Sequence, residues 1–322
     1  MEKRRNDYDV TDSVKTTDPA AVAAEVRRIY LSWYEKPGAD SLNQPFDNFA
    51  ALYRGEHPDY HACDTGYHDM QHVLDVTLAM TRLLDGYQRV GRERLDERLF
   101  RLGIILALYH DVGYIRSRKD TRHRQGAEYT LTHVSRGGVY LRNYLPRIGM
   151  ADLAPIAARL VHFTGFEIPV DKITLPADPI FKVIGNLLGT ADILGQMSDR
   201  CYLEKCHERL YPEFVAGGIA VRDNGSGEKQ VVFESGADLV LKTPGFYQHA
   251  EHRLDNVLGA VHRYAEKHFE GNNLYVEAVE NTVNYARTLT RTEDMARLRR
   301  LAPEASEAPE APATEQVKPK SD

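Results

Sequence analysis

The stretch Ile104-Ile105-Leu106-Ala107-Leu108-Tyr109-His110-Asp111 decides how the rest of the sequence is interpreted. Its six apolar residues predict the end of a helix that is buried almost all round. Burying an ionised carboxylate without a partner costs several kcal/mol, so Asp111 needs a counter-charge. A metal ion supplies that charge, and imidazole with carboxylate suits a divalent metal. The His110-Asp111 doublet therefore predicts half of a metal site in a buried helical core.

A second polar stretch, Tyr67-His68-Asp69-Met70-Gln71-His72, begins a helical pattern that continues to about residue 85. His68 and His72 are four residues apart, so on a helix their side chains leave the same face. Taken alone, the stretch is explained by an exposed histidine pair at a helix start. Together with the His110-Asp111 doublet, the stretch predicts that His68 and His72 belong to the same site. Asp75 is predicted to accept the spare N–H of the His72 ring, as carboxylates behind metal-bound histidines do.

A third element, residues 184–195, is an apolar helical segment with glycines at 185, 189 and 195. Asp192 falls on its apolar face, and the glycines predict that another helix approaches closely. A carboxylate in a core salt bridge is the alternative to a metal ligand at this position. Because the other two elements are present, we interpret Asp192 as a ligand.

The composition indicates a soluble globular protein: 322 residues, of which 42% are hydrophobic and 27% charged. A formal net charge of -6 argues against general binding of nucleic acid or acidic membranes. No window reaches the roughly 18 uninterrupted apolar residues of a membrane helix, and the polar start resembles no signal peptide. Three cysteines, an odd and sparse set, favour reduced thiols and a cytoplasmic protein. We expect no stable nucleic-acid complex and no membrane association.

Helical periodicity dominates the chain, which predicts an all-α bundle over residues 18–300. The candidate helices include a long one over residues 246–270. Residues 218–234 differ, because two β-branched runs flank Asn224-Gly225-Ser226-Gly227 and predict a small β-hairpin. The hairpin belongs to an insertion near 211–238, for which a lid and a dimer contact both remain open. Residues 1–17 are predicted to form a flexible arm, and residues 301–322 a disordered tail.

The order His…His-Asp…Asp resembles the HD-domain superfamily of metal-dependent phosphohydrolases over roughly residues 60–200. Its first element also resembles that of the cyclic-nucleotide phosphodiesterase branch, which has Asn at the position of Asp69. The chain also resembles the smaller bacterial HD phosphohydrolases. The resemblance implies a helical HD-domain bundle with four metal ligands, a carboxylate that bridges two metals when a second is present, and a histidine that protonates the leaving oxygen. Residue by residue, the ligands are His72, His110, Asp111 and Asp192, the bridging carboxylate is Asp111, and the proton donor is His68.

A second metal and a phosphate-binding loop are further predictions. Many members of the superfamily place additional ligands between the doublet and the last Asp, where His123 and His162 are the favoured candidates. His133 and Glu128 are weaker ones. Residues 116–124 contain five Arg or Lys in nine residues, so Arg118 and Arg122 are predicted to bind phosphate oxygens. An ordinary solvated loop explains the same residues equally well.

The sequence thus predicts a metal-dependent phosphohydrolase that cleaves a phosphoester of a nucleotide or another small phosphorylated metabolite. One or two divalent ions per chain (Mn, Fe, Co, Ni, Zn or Mg) would activate the attacking water. Two alternatives remain: a di-iron HD-domain oxygenase, and a regulatory module that binds a nucleotide without turning it over. A homodimer is possible.

Overall fold

The structure, a computed structural model, describes residues 4–91, 94–223 and 229–304. These residues are all-α apart from one two-stranded antiparallel sheet, which confirms the predicted fold class. The α-helices are α1 (Pro19–Tyr30), α2 (Lys36–Asp40), α3 (Asn43–Tyr53), α4 (Met70–Val90), α5 (Glu97–Tyr109), α6 (His133–Tyr144), α7 (Ala154–Leu160), α8 (Pro179–Ser198), α9 (Tyr202–Lys205), α10 (Tyr211–Ala216), α11 (Gly236–His252), α12 (Tyr264–Phe269) and α13 (Leu274–Thr292).

Helix α4 is the centre of the bundle and packs against α1, α5, α8 and α12. It begins where the Asp69 side chain accepts a hydrogen bond from the His72 amide at 2.9 Å, a strong N-cap. It ends at Gly91, whose φ of 74° is a conformation that glycine adopts without strain. The helix therefore has a fixed start, and its first turn carries His72.

Helix α8 approaches α4 closely, as the glycines of the third element predict. A Cβ added to Gly195 would lie 3.0 Å from the Val76 backbone, so no larger residue fits there without a shift. Close packing of these two helices brings Asp192, nearly one turn before Gly195, next to the first turn of α4. Helix α5 is buried over its last eight residues, as its apolar run predicts, and delivers His110-Asp111 to the same region.

The N-terminal segment is ordered from residue 4, whereas the sequence predicted a flexible arm over residues 1–17. Asp9 is buried and forms a 2.6 Å ion pair with Arg82 of α4. The same carboxylate accepts hydrogen bonds from the amides of Ser13 and Val14 at 3.0 and 2.8 Å. The segment is ordered although its sequence shows no periodicity. Asp9 accepts the hydrogen bonds of its turn and neutralises the buried Arg82 guanidinium. Residues 1–3 lie outside the described part of the chain.

The predicted hairpin is present as β1 (Val221–Asp223) and β2 (Lys229–Val231), paired in antiparallel register with Val221 opposite Val231. Its predicted turn, residues 224–227, lies outside the described residues, as does the predicted tail from residue 305. The long helix predicted over 246–270 is instead α11, a π-helical turn (Arg253–Val257), a 3₁₀ turn (Val261–Arg263) and α12. Within the described residues, no helix is both long and apolar enough to cross a membrane.

Candidate metal centre and its cavity

The first turn of α4, the end of α5 and the middle of α8 bring the four predicted ligands together. Asp111 Oδ2 lies 3.1 Å from His110 Nε2 and 3.3 Å from His72 Nε2. Asp192 Oδ1 lies 3.5 Å from His72 Nε2 and 3.8 Å from His110 Nε2, and the two imidazole nitrogens are 3.4 Å apart. Ligands held about 2.1 Å from a tetrahedral ion lie about 3.4 Å from each other. The ligand atoms of His72, His110 and Asp111 have this spacing and form a compact group in which every pair lies within 4.8 Å. Asp192 lies beside the two imidazoles but outside that compact group.

The hydrogen bonding of the cluster also fits a cation. Among the described residues, the buried Asp111 Oδ2 accepts no hydrogen bond of good geometry, although two imidazole nitrogens lie beside it. His110 Nδ1 lies 2.8 Å from the Ala107 carbonyl, which only accepts, so the ring proton belongs on Nδ1. When the ring is neutral, its Nε2 therefore presents a lone pair to the carboxylate. A cation between Asp111 Oδ2 and His110 Nε2 would accept a lone pair from each atom.

Protons can take the place of a cation at this cluster. Burial acts to lower the pKa of His72, but the Asp111 and Asp192 carboxylates outweigh it and raise that pKa to about 10. The pKa of His110 is raised against the same opposing effect of burial, chiefly by Asp111. Burial would raise the pKa of Asp111, yet the neighbouring imidazoles hold it well below its usual range. Because metal-bound histidine is neutral, binding of a cation must release these protons.

The other oxygen of Asp111 faces a third imidazole. His133 Nε2 lies 3.6 Å from Asp111 Oδ1, while His133 Nδ1 lies 2.7 Å from the Thr130 carbonyl. Burial lowers the pKa of His133, which favours the neutral ring with its proton on Nδ1. A second lone pair then faces the carboxylate, and Asp111 could bridge two cations. The sequence indicated His133 only weakly for this position.

His68 lies beside the cluster and is held by residues distant in sequence. Its Nδ1 is 2.5 Å from Oε2 of the buried Glu213 on α10, and Glu213 Oε1 accepts a hydrogen bond from the Tyr67 amide. The Tyr114 ring stacks between His68 and His133, with ring centroids 4.4 and 4.3 Å apart. Neither Glu213 nor Tyr114 was singled out from the sequence, because no local pattern links residue 213 to residue 68.

These groups open into a cavity of about 590 Å³. His68, His72, Asp111, His133 and Asp192 contribute its polar wall. Another part of the wall comes from the segment 206–246, which includes α10, the hairpin and part of α11. The inserted hairpin therefore forms part of the cavity, a role that the sequence left open.

The prediction that Asp75 supports His72 is not met in this structure. The Asp75 side chain instead meets Thr16 of the N-terminal segment, Asp199 and Lys205. Burial and the Asp199 carboxylate raise the pKa of Asp75 to about 8. The ordered N-terminal segment offers Asp75 a hydroxyl partner, which the sequence could not show.

The two histidines favoured for a second metal are held elsewhere. His123 Nδ1 pairs with Asp120 at 2.8 Å and its ring packs on Tyr129, outside the cavity wall. His162 Nδ1 pairs with Glu167 at 2.7 Å; Glu167 lines the cavity and His162 lies behind it. His133 therefore lies against Asp111 in the structure, and neither His123 nor His162 does.

The predicted phosphate-binding arginines do not line the cavity either. Arg118 is exposed and donates to the Gly55 carbonyl at 3.0 Å, and Arg122 is exposed as well. Their loop pairs with the segment 55–64 through a bridge between Tyr60 and Ser117. Among the described residues, the Lys and Arg side chains on the cavity wall are Arg222 and Lys242.

The chain was compared with known proteins by sequence and by structure. No curated protein matches it. Among solved structures, it is similar to the phosphodiesterase domain of the RhoPDE fusion protein from the choanoflagellate Salpingoeca rosetta, with a TM-score of 0.51 and 14% identity. The match covers 91% of this chain and 97% of that one, and at this identity it concerns the fold alone. The family model described as Npun_R2479-like matches residues 56–282, a segment that contains all four convergent residues. The chain belongs to the Npun_R2479-like family.

Proposed function

We propose that the protein is a divalent-metal-dependent phosphohydrolase of the HD-domain type. The observation that carries the proposal is the compact buried group of His72, His110 and Asp111, with Asp192 beside the two imidazoles, at the wall of a cavity that His68 also lines. The similarity in fold to a phosphodiesterase domain is consistent with hydrolysis of a phosphoester. The four residues would hold the metal through two imidazole nitrogens and two carboxylate oxygens.

Hydrolysis adds water to phosphorus and breaks the bond between phosphorus and the ester oxygen. A divalent ion held by the four residues would lower the pKa of a coordinated water from ~15.7 towards ~7. His68 is suited to protonate the departing oxygen, because Glu213 lies against its Nδ1–H and stabilises the charged ring. The proton then leaves from Nε2, the departing alcohol takes it, and the ring recovers a proton released by the attacking water.

The proposal is tested with bis(p-nitrophenyl) phosphate, p-nitrophenyl phosphate and a panel of nucleotides. Metal-stripped protein should be inactive, and Mn²⁺, Co²⁺ or Zn²⁺ should restore turnover. His110→Ala and Asp111→Asn should lose activity by about 10³-fold or more, since the metal supplies several kcal/mol of transition-state stabilisation. His252→Ala, a change of an exposed histidine on α11, is the matched control and should keep wild-type activity. Full activity in both ligand variants, with their folding verified, would refute the proposal.

A di-iron oxygenase is the second candidate, and the 3.6 Å approach of His133 to Asp111 favours it. That reaction needs two irons, for which Asp111 would be the bridge. Protein produced with iron should then hold about two irons per chain and consume dioxygen with a suitable organic substrate. Phosphoester turnover without dioxygen consumption would exclude the oxygenase and support the hydrolase.

A further inference from the structure

The part of the cavity wall that residues 206–246 contribute is largely apolar. Between residues 210 and 246 its apolar members are Leu210, Phe214, Ile219, Phe233, Leu239 and Phe246. The rings of Phe214 and Phe233 pack together, with their centroids 5.5 Å apart, so the base of the hairpin presents an aromatic surface to the cavity. A phosphate group alone occupies only a small part of about 590 Å³.

The mouth of the cavity is apolar as well. Phe166, Leu131 and Phe246 line the cavity, and 71%, 67% and 37% of their surfaces remain exposed. Large apolar side chains that are exposed together commonly mark a binding site. Three separate parts of the chain contribute these side chains, so it is the fold, and no single apolar stretch of sequence, that brings them to one cavity.

Three polar side chains near this wall, those of Lys242, Thr243 and Thr164, already have partners within the chain, and the other cation there is Arg222 of the hairpin. Lys242 Nζ donates to the Val232 carbonyl and to Asp238 Oδ2, both at 2.8 Å. The hydroxyls of Thr243 and Thr164 donate to backbone carbonyls of their own helical turns. A sugar or a base placed here would lose hydrogen bonds to water and gain few in return. A hydrocarbon group would lose none.

We propose, on the basis of the phosphohydrolase function above, that the substrate is a phosphoester carrying a hydrocarbon group. The phosphate lies at the metal centre, and the hydrocarbon group lies against Phe214, Phe233 and Phe246. The segment 210–246, which includes the hairpin, is then the part of the chain that determines substrate specificity. The apolar side chains of this segment contribute contact area and take no part in the chemistry.

A series of alkyl p-nitrophenyl phosphates, with methyl, butyl, hexyl and octyl groups, tests the proposal on the metal-loaded protein. Water adds to phosphorus and p-nitrophenol is released, so one assay covers the whole series. We expect kcat/KM to rise about fourfold per added methylene until the cavity is filled. A flat series, or faster hydrolysis of thymidine 5′-p-nitrophenyl phosphate than of the octyl ester, would overturn the proposal.

A change in the aromatic wall should alter this dependence on chain length. Phe246→Ser should lower the ratio of octyl to methyl kcat/KM about tenfold, because one side chain's worth of apolar contact is lost. Val139→Ser, at an exposed valine of α6 outside the cavity wall, is the control and should leave the ratio unchanged. An equal ratio in wild type and Phe246→Ser would contradict the proposed site.

A binding measurement separates this proposal from the proposed function. If no ester in the series is hydrolysed, the hydrolase proposal fails, yet octylphosphonate binding still reports on the cavity. Calorimetry on the metal-loaded protein should give octylphosphonate at least about 100-fold tighter than methylphosphonate, and Phe246→Ser should reduce that difference. Equal affinities would show that the apolar wall does not bind the ligand.

Discussion

Two separate groups of buried charges lie beside α4, and they are neutralised in different ways. In the rear group, Arg82 pairs with Asp9 and Lys205 pairs with Asp199, each at 2.6 Å. In the front group, no Lys or Arg among the described residues forms an ion pair with Asp111, whose partners there are all imidazoles. The rear group is complete within the chain. The front group can gain or lose its positive charge, which is what a metal site requires.

The largest expected difference concerns removal of one carboxylate from each group. Asp9→Asn should destabilise the metal-free protein by about 3–5 kcal/mol, because Arg82 then keeps a buried charge that it cannot release. Asp111→Asn should cost less than half as much, since the imidazoles can become neutral by losing a proton. Urea unfolding in the presence of a chelator measures both variants. Equal losses would contradict the proposed difference.

The part of the pH dependence of stability that disappears on metal binding should report on the front group, because the raised pKa of Asp75 gives the rear group a pH dependence of its own. The pKa of His72 is raised from 6.5 to about 10 in the folded chain, so folding retains a proton that the unfolded chain has lost. The resulting stability is complete below about pH 6.5 and is lost as the pH rises to about 10, at up to about 1.4 kcal/mol per pH unit. Saturation with metal should abolish the contribution. Urea unfolding at pH 6.5 and 9.5, with and without metal, tests this.

A smaller effect is expected for the contact that orients His68. Glu213→Gln keeps the size of the side chain but removes the charge that stabilises the protonated ring, so kcat should fall about 10–100-fold. The metal content should not change, because no atom of Glu213 lies among the four convergent atoms. Glu213→Asp, which keeps the carboxylate, should recover part of the lost kcat with KM unchanged. Equal kcat in Glu213→Gln and the wild type would contradict a role of Glu213 in positioning His68.

The smallest effect is predicted for the basic loop. The double variant Arg118→Ala, Arg122→Ala should keep kcat and KM within about twofold, because surface changes remote from the site have little effect. Phosphate binding by Arg118 and Arg122, as the sequence predicted, would instead raise KM in this variant. A large rise would show that the loop reaches the substrate in solution.

The sequence revealed the parts of the site that are determined by local pattern and burial. Two histidines and two aspartates at the ends or apolar faces of predicted helices could be recognised because a buried charge needs a partner. Contacts such as Glu213 with His68 could not, since 145 residues separate them and only tertiary packing brings them together. Asp75 followed the correct spacing but found another partner in the ordered N-terminal segment.

The fold was predictable to a similar degree. Apolar periodicity gave α4, α5 and α8, which carry the ligands, and a β-branched pattern gave the hairpin. The break after α11 was missed because the apolar spacing continues across it, although Ala260 has a φ of 54° that no helix contains. Periodicity reports which faces are buried and does not show where the backbone turns.

The central claim is that four side chains bind one divalent cation, and titration calorimetry of metal-stripped protein with Mn²⁺ or Zn²⁺ tests it most directly. The wild type should bind at least one ion per chain and release protons, in an amount that changes with pH. His110→Asn, with an unchanged far-UV spectrum, should bind that ion at least about 100-fold more weakly. Equal binding by both proteins, or none by the folded wild type, would contradict the account.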